Sequence, residues 1–544
     1  MREPGRRDVA WALALACAGA AAVLLGTVRL GAPLLHYSTW DFWFDSDPPA
    51  VADLLADRES RNHLRASHHP LFSVLAYPLA QAGRFLVGPD PVATAALLVV
   101  PTAAAWLALL FLTLRWMGLP RFEAATFAAV AATSASAVFW MPVLETNAFG
   151  ALTIMLAVAV VARHEAMRRS PAWAALAASV LSVGVTTTNG MFGLLMLVGT
   201  RSRRRALALG LAALGIVAGL WSVQRVVFPA TGSPLNLWTP AEADYLFNPE
   251  ALGLGAKAAG FFSHSVVLPE IRAAYGWRLS VQGPSLGSGR LETGAALVWL
   301  ALLAVGGAAA WPRRRSPTQA VVLAGLGGQL LLTLVFGVET FFYSVHFGPL
   351  LVVVAAQGAA TRARPFVVAA GLLLVGLNVA NHVPKFDAAA ARTRERYELE
   401  RQVTGDVLAA TGPADLLLCG RHPLAAVGEP APSLAALLSR EAGPVLLHAD
   451  PDTCYFAFGP DTPMRRGWLL PHERWSPQAV ESFRQRGARY FVVAYQPADE
   501  AAAPLLSWLD RTFARRQGRA IRLYDLQAPR ADTSSGTGVI LPSG

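Results

Sequence analysis

The sequence predicts a polytopic α-helical membrane protein with about 11 transmembrane helices, followed by an extracytoplasmic α/β domain. Three observations predict it. Long apolar runs recur through the first two thirds of a 544-residue chain that is 54% hydrophobic and 15% charged, with mean hydropathy +0.40. The arginines gather in short clusters between those runs, as they do in cytoplasmic loops. Beyond Pro384 the spanning runs stop, and short strand-like and helix-like segments alternate. A soluble enzyme of this length would carry roughly a quarter charged residues. The net charge of +10 follows from the loop arginines, so no nucleic-acid partner is expected.

The N-terminus has a basic start and an apolar stretch, Val9–Val28, of about 20 residues, long enough to span. It reads as an uncleaved anchor with Arg6, Arg7 and the N-terminus in the cytoplasm. The next runs are Val92–Leu114, Phe122–Met141, Ala148–Ala162, Ala172–Thr186, Gly190–Thr200 and Ala206–Phe228. Leu291–Trp311, Thr318–Val338, Phe347–Ala360 and Pro365–Val383 complete them. Arginine-rich connectors begin at Arg115, Arg163, Arg201, Arg313 and Thr361 and belong inside. The loops at 30–91, Glu145, Thr186, 229–290 and Glu339 then lie outside. Leu71–Val87 contains Pro78, Gln81 and Arg84, and counting it as a span would invert every later loop. It reads as an interfacial or re-entrant helix. Ala172–Thr200 has arginines at both ends, so it goes in and returns on two short arms that turn near Thr186–Gly190.

The expected division is a transmembrane domain over 1–384, an extracytoplasmic α/β domain over 385–530, and a flexible tail over 531–544. Cys419 and Cys454 form a disulfide only if that domain lies in an oxidising compartment. The location expected is the inner (plasma) membrane. The abundance of Ala, Arg and Gly suggests a GC-rich bacterial source.

The first outer loop holds the chemistry. Asp41, Asp45 and Asp47 stand among Trp40, Phe42, Trp43 and Phe44, with Asp53 and Asp57 further on. One reading is structural: an amphipathic surface helix over Ala50–Arg65, with Val51, Leu54, Leu55 and Leu64 on one face and Asp47 as cap before Pro48 and Pro49. The functional reading makes Asp45 or Asp47 a general base, its basicity raised by the aromatic surroundings. His68 and His69 are either ordinary hydrogen-bonding residues or ligands of a phosphate. A divalent metal is the weaker choice, because no HxxxH or HExxH spacing occurs. Glu145 is a carboxylate at an outer membrane boundary, where interfacial charge is also ordinary. Tyr343 and His346 can contact a lipid phosphate or simply belong to an aromatic belt. Arg272, Arg278 and Arg290 are weaker phosphate candidates. No Walker A sequence or CxxC pair occurs, so an ATP-driven pump is not expected, and with no nucleophile elbow apparent neither is a serine hydrolase.

These patches together resemble the GT-C glycosyltransferases, in the branch of the protein O-mannosyltransferases and aminoarabinose transferases. Phe44–Asp47 (FDSD) resembles the family's first-loop Asp or Asp-Glu, and His68–Phe72 (HHPLF) its Lys/His-Pro-Pro-Leu element. Leu144–Leu156 resembles the segment in which a second acid begins the fourth span. The layout matches over roughly Val9–Val383. Ser46 stands where Glu is usual, His-Pro replaces Pro-Pro, and Tyr343–His346 replaces a late Arg-Tyr. The resemblance implies a GT-C fold and transfer of a sugar, with inversion, from a polyprenyl-phosphate donor in the membrane lipid. The acceptor is a glycan, lipid or protein. Asp45, or else Asp47, is implied as base, with Glu145 as the second acid. Arg65, His68, His69, Asn189, Tyr343 and His346 are the expected substrate-binding residues. No cofactor is firmly implied. A lipid or polysaccharide transporter and a non-catalytic envelope scaffold are the alternatives.

Overall fold

The computed structural model describes residues 5–36, 39, 41–168, 171–233, 253–274, 278–281, 285–337, 340–420, 445–450, 453–457, 465–470, 475–494, 503–517 and 521–529. Trp40, the helix-like stretch 433–442 and the tail 531–544 lie outside them. The chain forms two compact units: 1–35 with 41–391, and 36–40 with 392–544.

In the first unit the apolar runs become α1 (Arg6–Leu30), α2 (Pro48–Ala56), α3 (Phe72–Val87), α4 (Pro91–Trp116), α5 (Arg121–Ala132), α6 (Ala135–Trp140), α7 (Thr146–Met167), α8 (Ala172–Val185), α9 (Gly190–Thr200) and α10 (Arg203–Val227). There follow α11 (Leu254–Ser263), a hairpin of β1 (Arg272–Ala274) and β2 (Arg278–Ser280), α12 (Arg290–Ala310), α13 (Pro317–Val335), α14 (Ser344–Ala356) and α15 (Arg364–Ala410), which runs on past Ala391. Among the described residues, eight helical segments are long and apolar enough to cross a membrane: α1, α4, α7, α10, α12, α13, Thr340–Ala360 and α15. Of the 11 or so expected runs, three form shorter helices than these.

The first of the three, Phe122–Met141, is interrupted. Thr133 Oγ1 donates to Ala129 O (2.9 Å), and Ser134 Oγ caps α6 by accepting from Ala137 N (3.3 Å). The amides freed at the break donate to a distant carbonyl pair, Ala135 to Val266 and Ser136 to Ser265. The other two, α8 and α9, have 14 and 11 residues and form the expected pair of short arms. The interior belongs to α7 and Thr340–Ala360, whose apolar stretches are 72% and 89% buried, against 17% for α1 and α10.

The helix expected over Ala50–Arg65 is also corrected. It ends at Ala56, because buried Asp53 accepts hydrogen bonds from Ser60 Oγ and from Asn62 Nδ2 (2.9 Å), folding the chain back into a 3-10 turn over Arg61–Ser67. Val51, Leu54 and Leu55 are buried as expected, but Leu64 is exposed.

The second unit contains a seven-stranded sheet in the order β4-β5-β6-β3-β7-β9-β8. Its strands are β3 (Leu416–Gly420), β4 (Val445–Asp450), β5 (Thr453–Ala457), β6 (Arg465–Leu470), β7 (Tyr490–Ala494), β8 (Phe513–Gln517) and β9 (Ile521–Pro529). Here β3 runs parallel to β6 and β7, and the other pairs are antiparallel. Helices α16 (Pro477–Gln485) and α17 (Ala503–Thr512) add Val480, Leu505 and Leu509 to a core with Leu418, Phe491 and Tyr524. Cys419 pairs with Leu469 of β6 from one side, and Cys454 with Gly467 of β6 from the other. Strands two apart are separated by about 9.5 Å, beyond the Cα spacing a disulfide tolerates.

Candidate active site

The site begins with the turn Asp41–Asp45. Asp41, Phe44 and Asp45 adopt φ of 57°, 51° and 65°, a left-handed region that suits glycine. Each such residue costs about 1–3 kcal/mol and persists only where its surroundings hold it. Here two aromatic rings hold it. Trp43 and Phe44 are wholly buried, Trp43 against Phe139 (5.9 Å) and Phe386 (5.7 Å), and Phe44 against Phe139 (5.7 Å) and Phe341 (5.2 Å). Trp43 Nε1 donates to Phe139 O (3.2 Å), and Ser46 Oγ to Trp43 O (2.6 Å). With the aromatic side chains committed inward, the acids flanking them are left at the edge of the core.

Asp45 accepts an ion-paired hydrogen bond from Arg278 on Oδ1. Burial pushes its carboxyl up, Arg278 opposes this, the neighbouring Asp47 charge adds to it, and the net direction is upward. Asp47 stands at the N-cap position of α2 but does not use its side chain as a cap. Its Oδ2 pairs instead with Arg65 (2.7 Å), and its amide donates to Glu145 Oε2 (3.1 Å). Glu145 caps α7, with Oε1 accepting from Thr146 N (2.8 Å) and Thr146 Oγ1 (2.9 Å), and Arg65 lies 3.8 Å away. Burial pushes the Glu145 carboxyl up; Arg65 and the Thr146 bonds oppose it, and Asp47 reinforces it. Both Glu145 oxygens are thus occupied. Three carboxylates from two segments share two arginines, which leaves the cluster with one excess negative charge.

The His-Pro-Leu element lies alongside. His69 Nδ1 donates to Val185 O (2.8 Å), and its Nε2 faces Thr146 Oγ1 (3.3 Å). Since a carbonyl can only accept, the proton sits on Nδ1 and Nε2 presents a lone pair. Desolvation, aided by the charge of Arg65, lowers the pKa of His69 to about 3, so the ring is neutral near pH 7. The backbone ties this segment to the α8–α9 turn: Leu71 N donates to Gly184 O (2.7 Å), and Thr187 N to His68 O (2.9 Å).

Deeper in the unit, His346 and Asn189 converge on Gly150. Asn189 Nδ2 donates to Gly150 O (3.1 Å), and a Cβ on Gly150 would meet both side chains. Asn189 Oδ1 and His346 Nε2 are buried without hydrogen-bond partners among the described residues. His346 is bonded through its other ring nitrogen to the Asn147 backbone, and Tyr343 lies 6.4 Å from it, ring to ring.

Asp45, Asp47, Arg65, Glu145 and His69 are therefore brought into one linked cluster. His68 is adjacent to it, and Asn189, His346 and Tyr343 form an inner group around Gly150. Arg278 is the main surprise, since it was weighed for phosphate and is paired with a carboxylate. Arg272 pairs with exposed Glu270 (3.4 Å), and Arg290 begins α12. Thr146 and Gly150 went unnoticed. Thr146 sits beside a flagged acid, but nothing in the sequence around Gly150 marked it. The stretch Gly283–Gly287 does spell G-x-S-x-G, yet Ser285 Oγ donates to Val267 O (2.9 Å) and is no free nucleophile. Among the described residues no group of three or more His, Cys, Asp or Glu side chains is disposed to hold a metal ion.

No family model matches the sequence, and no curated protein matches it. Among solved structures, the chain is similar to ArnT from Cupriavidus metallidurans bound to undecaprenyl phosphate, with 13% identity over 94% of this chain and 97% of that one, at a TM-score of 0.48. It is similar to the arabinofuranosyltransferase AftD from Mycobacteria, with 13% identity over 97% of this chain and 40% of that one, at 0.47. A third is the archaeal oligosaccharyltransferase AglB from Archaeoglobus fulgidus, in complex with an inhibitory peptide and a dolichol-phosphate, with 10% identity over 94% and 73%, at 0.43. All three are GT-C superfamily membrane glycosyltransferases. At these identities and scores the likeness assigns no residue role in this chain.

Proposed function

We propose that this chain is a GT-C-type membrane glycosyltransferase, moving a sugar from a polyprenyl-phosphate donor to an acceptor outside the cytoplasm with inversion. The acceptor hydroxyl, on a glycan, lipid or protein, gives its proton to Asp45 as its oxygen attacks the anomeric carbon. The bond from that carbon to the phosphate oxygen breaks, and the phosphate departs with the electron pair from the opposite face. Asp45 suits the role because, among the described residues, only its Oδ1 is bonded, and burial makes the carboxylate a stronger base. Asp47 is the second choice, being tied to Arg65 and Glu145. Glu145, with both oxygens occupied, orients the Asp47 amide and Arg65 rather than taking a proton.

His69 is neutral with Nε2 as acceptor, so we assign it to a substrate hydroxyl in preference to a phosphate oxygen. His346 Nε2 is buried without a hydrogen-bond partner among the described residues and is a second candidate for a substrate contact. With Arg65 held by Asp47 and Glu145, His68 and Tyr343 remain the donors for the leaving phosphate. The arginine distribution puts the loop site and the C-terminal unit outside the inner membrane, with the N-terminus inside.

The observation that carries this reading is the convergence of Asp45, Asp47 and Glu145 around Arg65 and Arg278. Sugar transfer from defined polyprenyl-phosphate donors, measured in proteoliposomes, tests it. Asp45→Asn is expected to lower turnover by about 10²–10⁴. Full activity in both Asp45→Asn and Asp47→Asn would refute the assignment. Lipid movement without bond cleavage would favour transport instead.

A further inference from the structure

Arg278 is a weak phosphate candidate by sequence, yet two bonds join its segment to the acid loop. The amide of Leu279 donates to Phe42 O (2.9 Å), so β2 runs onto the strained turn through its backbone. One residue earlier, the Arg278 guanidinium pairs with Asp45 Oδ1. The pair is enclosed, with side-chain exposures of 11% for Arg278 and 18% for Asp45, so solvent screens it little. Leu279, Ser280 and Val281, which follow, are buried and anchor the strand.

We propose that Arg278 is a positioning residue for Asp45, fixing the carboxylate so that Oδ2 faces the acceptor and holding it in its charged, proton-accepting form. This rests on the glycosyltransferase reading above. The geometry supports both parts. Engaging Oδ1 alone sets the plane of the carboxylate, and its backbone, at φ 65°, is fixed by the buried rings beside it. The electrostatic need is also visible. Among the described residues, the charged groups around Asp45 are Arg278 from β2, Asp47 two residues on, and Asp41 at the start of the same turn; Arg65 is committed to Asp47 and Glu145. Without Arg278, a buried carboxyl beside other acids would keep its proton near neutral pH and could not act as a base.

The pH dependence of kcat/KM for wild type, Arg278→Gln and Arg278→Lys, measured with a defined polyprenyl-phosphate sugar, tests this. In Arg278→Gln the acidic limb should rise by about one to two pH units. Turnover should then be roughly ten- to a hundredfold lower below both limbs and recover most of the difference above them. Arg278→Lys should return the limb to its wild-type position while kcat stays below wild type. A uniform loss at every pH with the limb unmoved would overturn the proposal, as would an effect on KM alone. Infrared titration of the protonated Asp45 carboxyl, identified by its loss in Asp45→Asn, gives a readout independent of turnover. If no donor is consumed, the glycosyltransferase reading fails, yet an upward-shifted titration in Arg278→Gln would still support the pairing and an unshifted one would refute it.

Discussion

Replacing Arg65 with alanine isolates what this one guanidinium does for two acids. Arg65 lies 2.7 Å from Asp47 Oδ2 and 3.8 Å from Glu145 Oε1, and its side chain is 24% exposed. Losing an opposite charge at such range raises a carboxyl pKa by about one to three units, each worth about 1.4 kcal/mol. The longer contact and partial exposure put the Glu145 share at the low end, about 1.5–2 kcal/mol, and the Asp47 pair adds at most about 1 kcal/mol. The sign with pH follows from burial. Glu145 already titrates above an ordinary glutamate, so its contribution favours the fold at low pH and is lost as pH rises through the folded-state value. Removing Arg65 moves that value higher. The defect should therefore be smaller at pH 5 than at pH 8. Reversible unfolding in mixed micelles at the two pH values measures it. Adding Glu145→Gln, which removes the stranded charge, should recover about 1.5 kcal/mol at pH 8. An equal defect at both pH values, or a double variant no better than additive, would show that Arg65 does not neutralise Glu145.

Two further outcomes follow from the same geometry. Gly150→Ala would place a Cβ 3.0 Å from Asn189 Nδ2 and closer still to His346 Nε2. It should destabilise by about 1–3 kcal/mol and lower sugar transfer at least tenfold, whereas Gly376→Ala, with open space around it, should be silent in both assays. His69, with its pKa near 3, should show the neutral Nδ1–H tautomer in ¹⁵N NMR throughout pH 5–8; a titration near the ordinary histidine value would refute the assigned proton position.

Much of the helical layout was readable because it depends on local apolar runs. The run Val92–Leu114 becomes α4 and Leu291–Trp311 becomes α12 with little change. The break between α5 and α6 was not readable, since its stray amides are satisfied by the carbonyls of Val266 and Ser265, more than a hundred residues away. The early end of α2 had a similar cause, in Asp53 accepting from Ser60 and Asn62. For the site, residue type alone singled out Asp45, Asp47, Glu145 and His69. What it could not supply was pairing. Whether an arginine serves phosphate or carboxylate is decided by packing, and both Arg65 and Arg278 turned to carboxylates. Nothing in the sequence around Gly150 revealed that a histidine and an asparagine meet over its missing side chain.

The aromatic anchor beneath the acid turn also bears on biogenesis. Trp43 and Phe44 are made early, but Phe139, Phe341 and Phe386, against which they pack, emerge far later in translation. Until those partners have been synthesised and inserted, nothing holds the turn in its unfavourable backbone conformation. Asp45 therefore reaches its folded position only near the end of assembly, and a chain that stalls halfway through synthesis lacks the packing that shapes this turn.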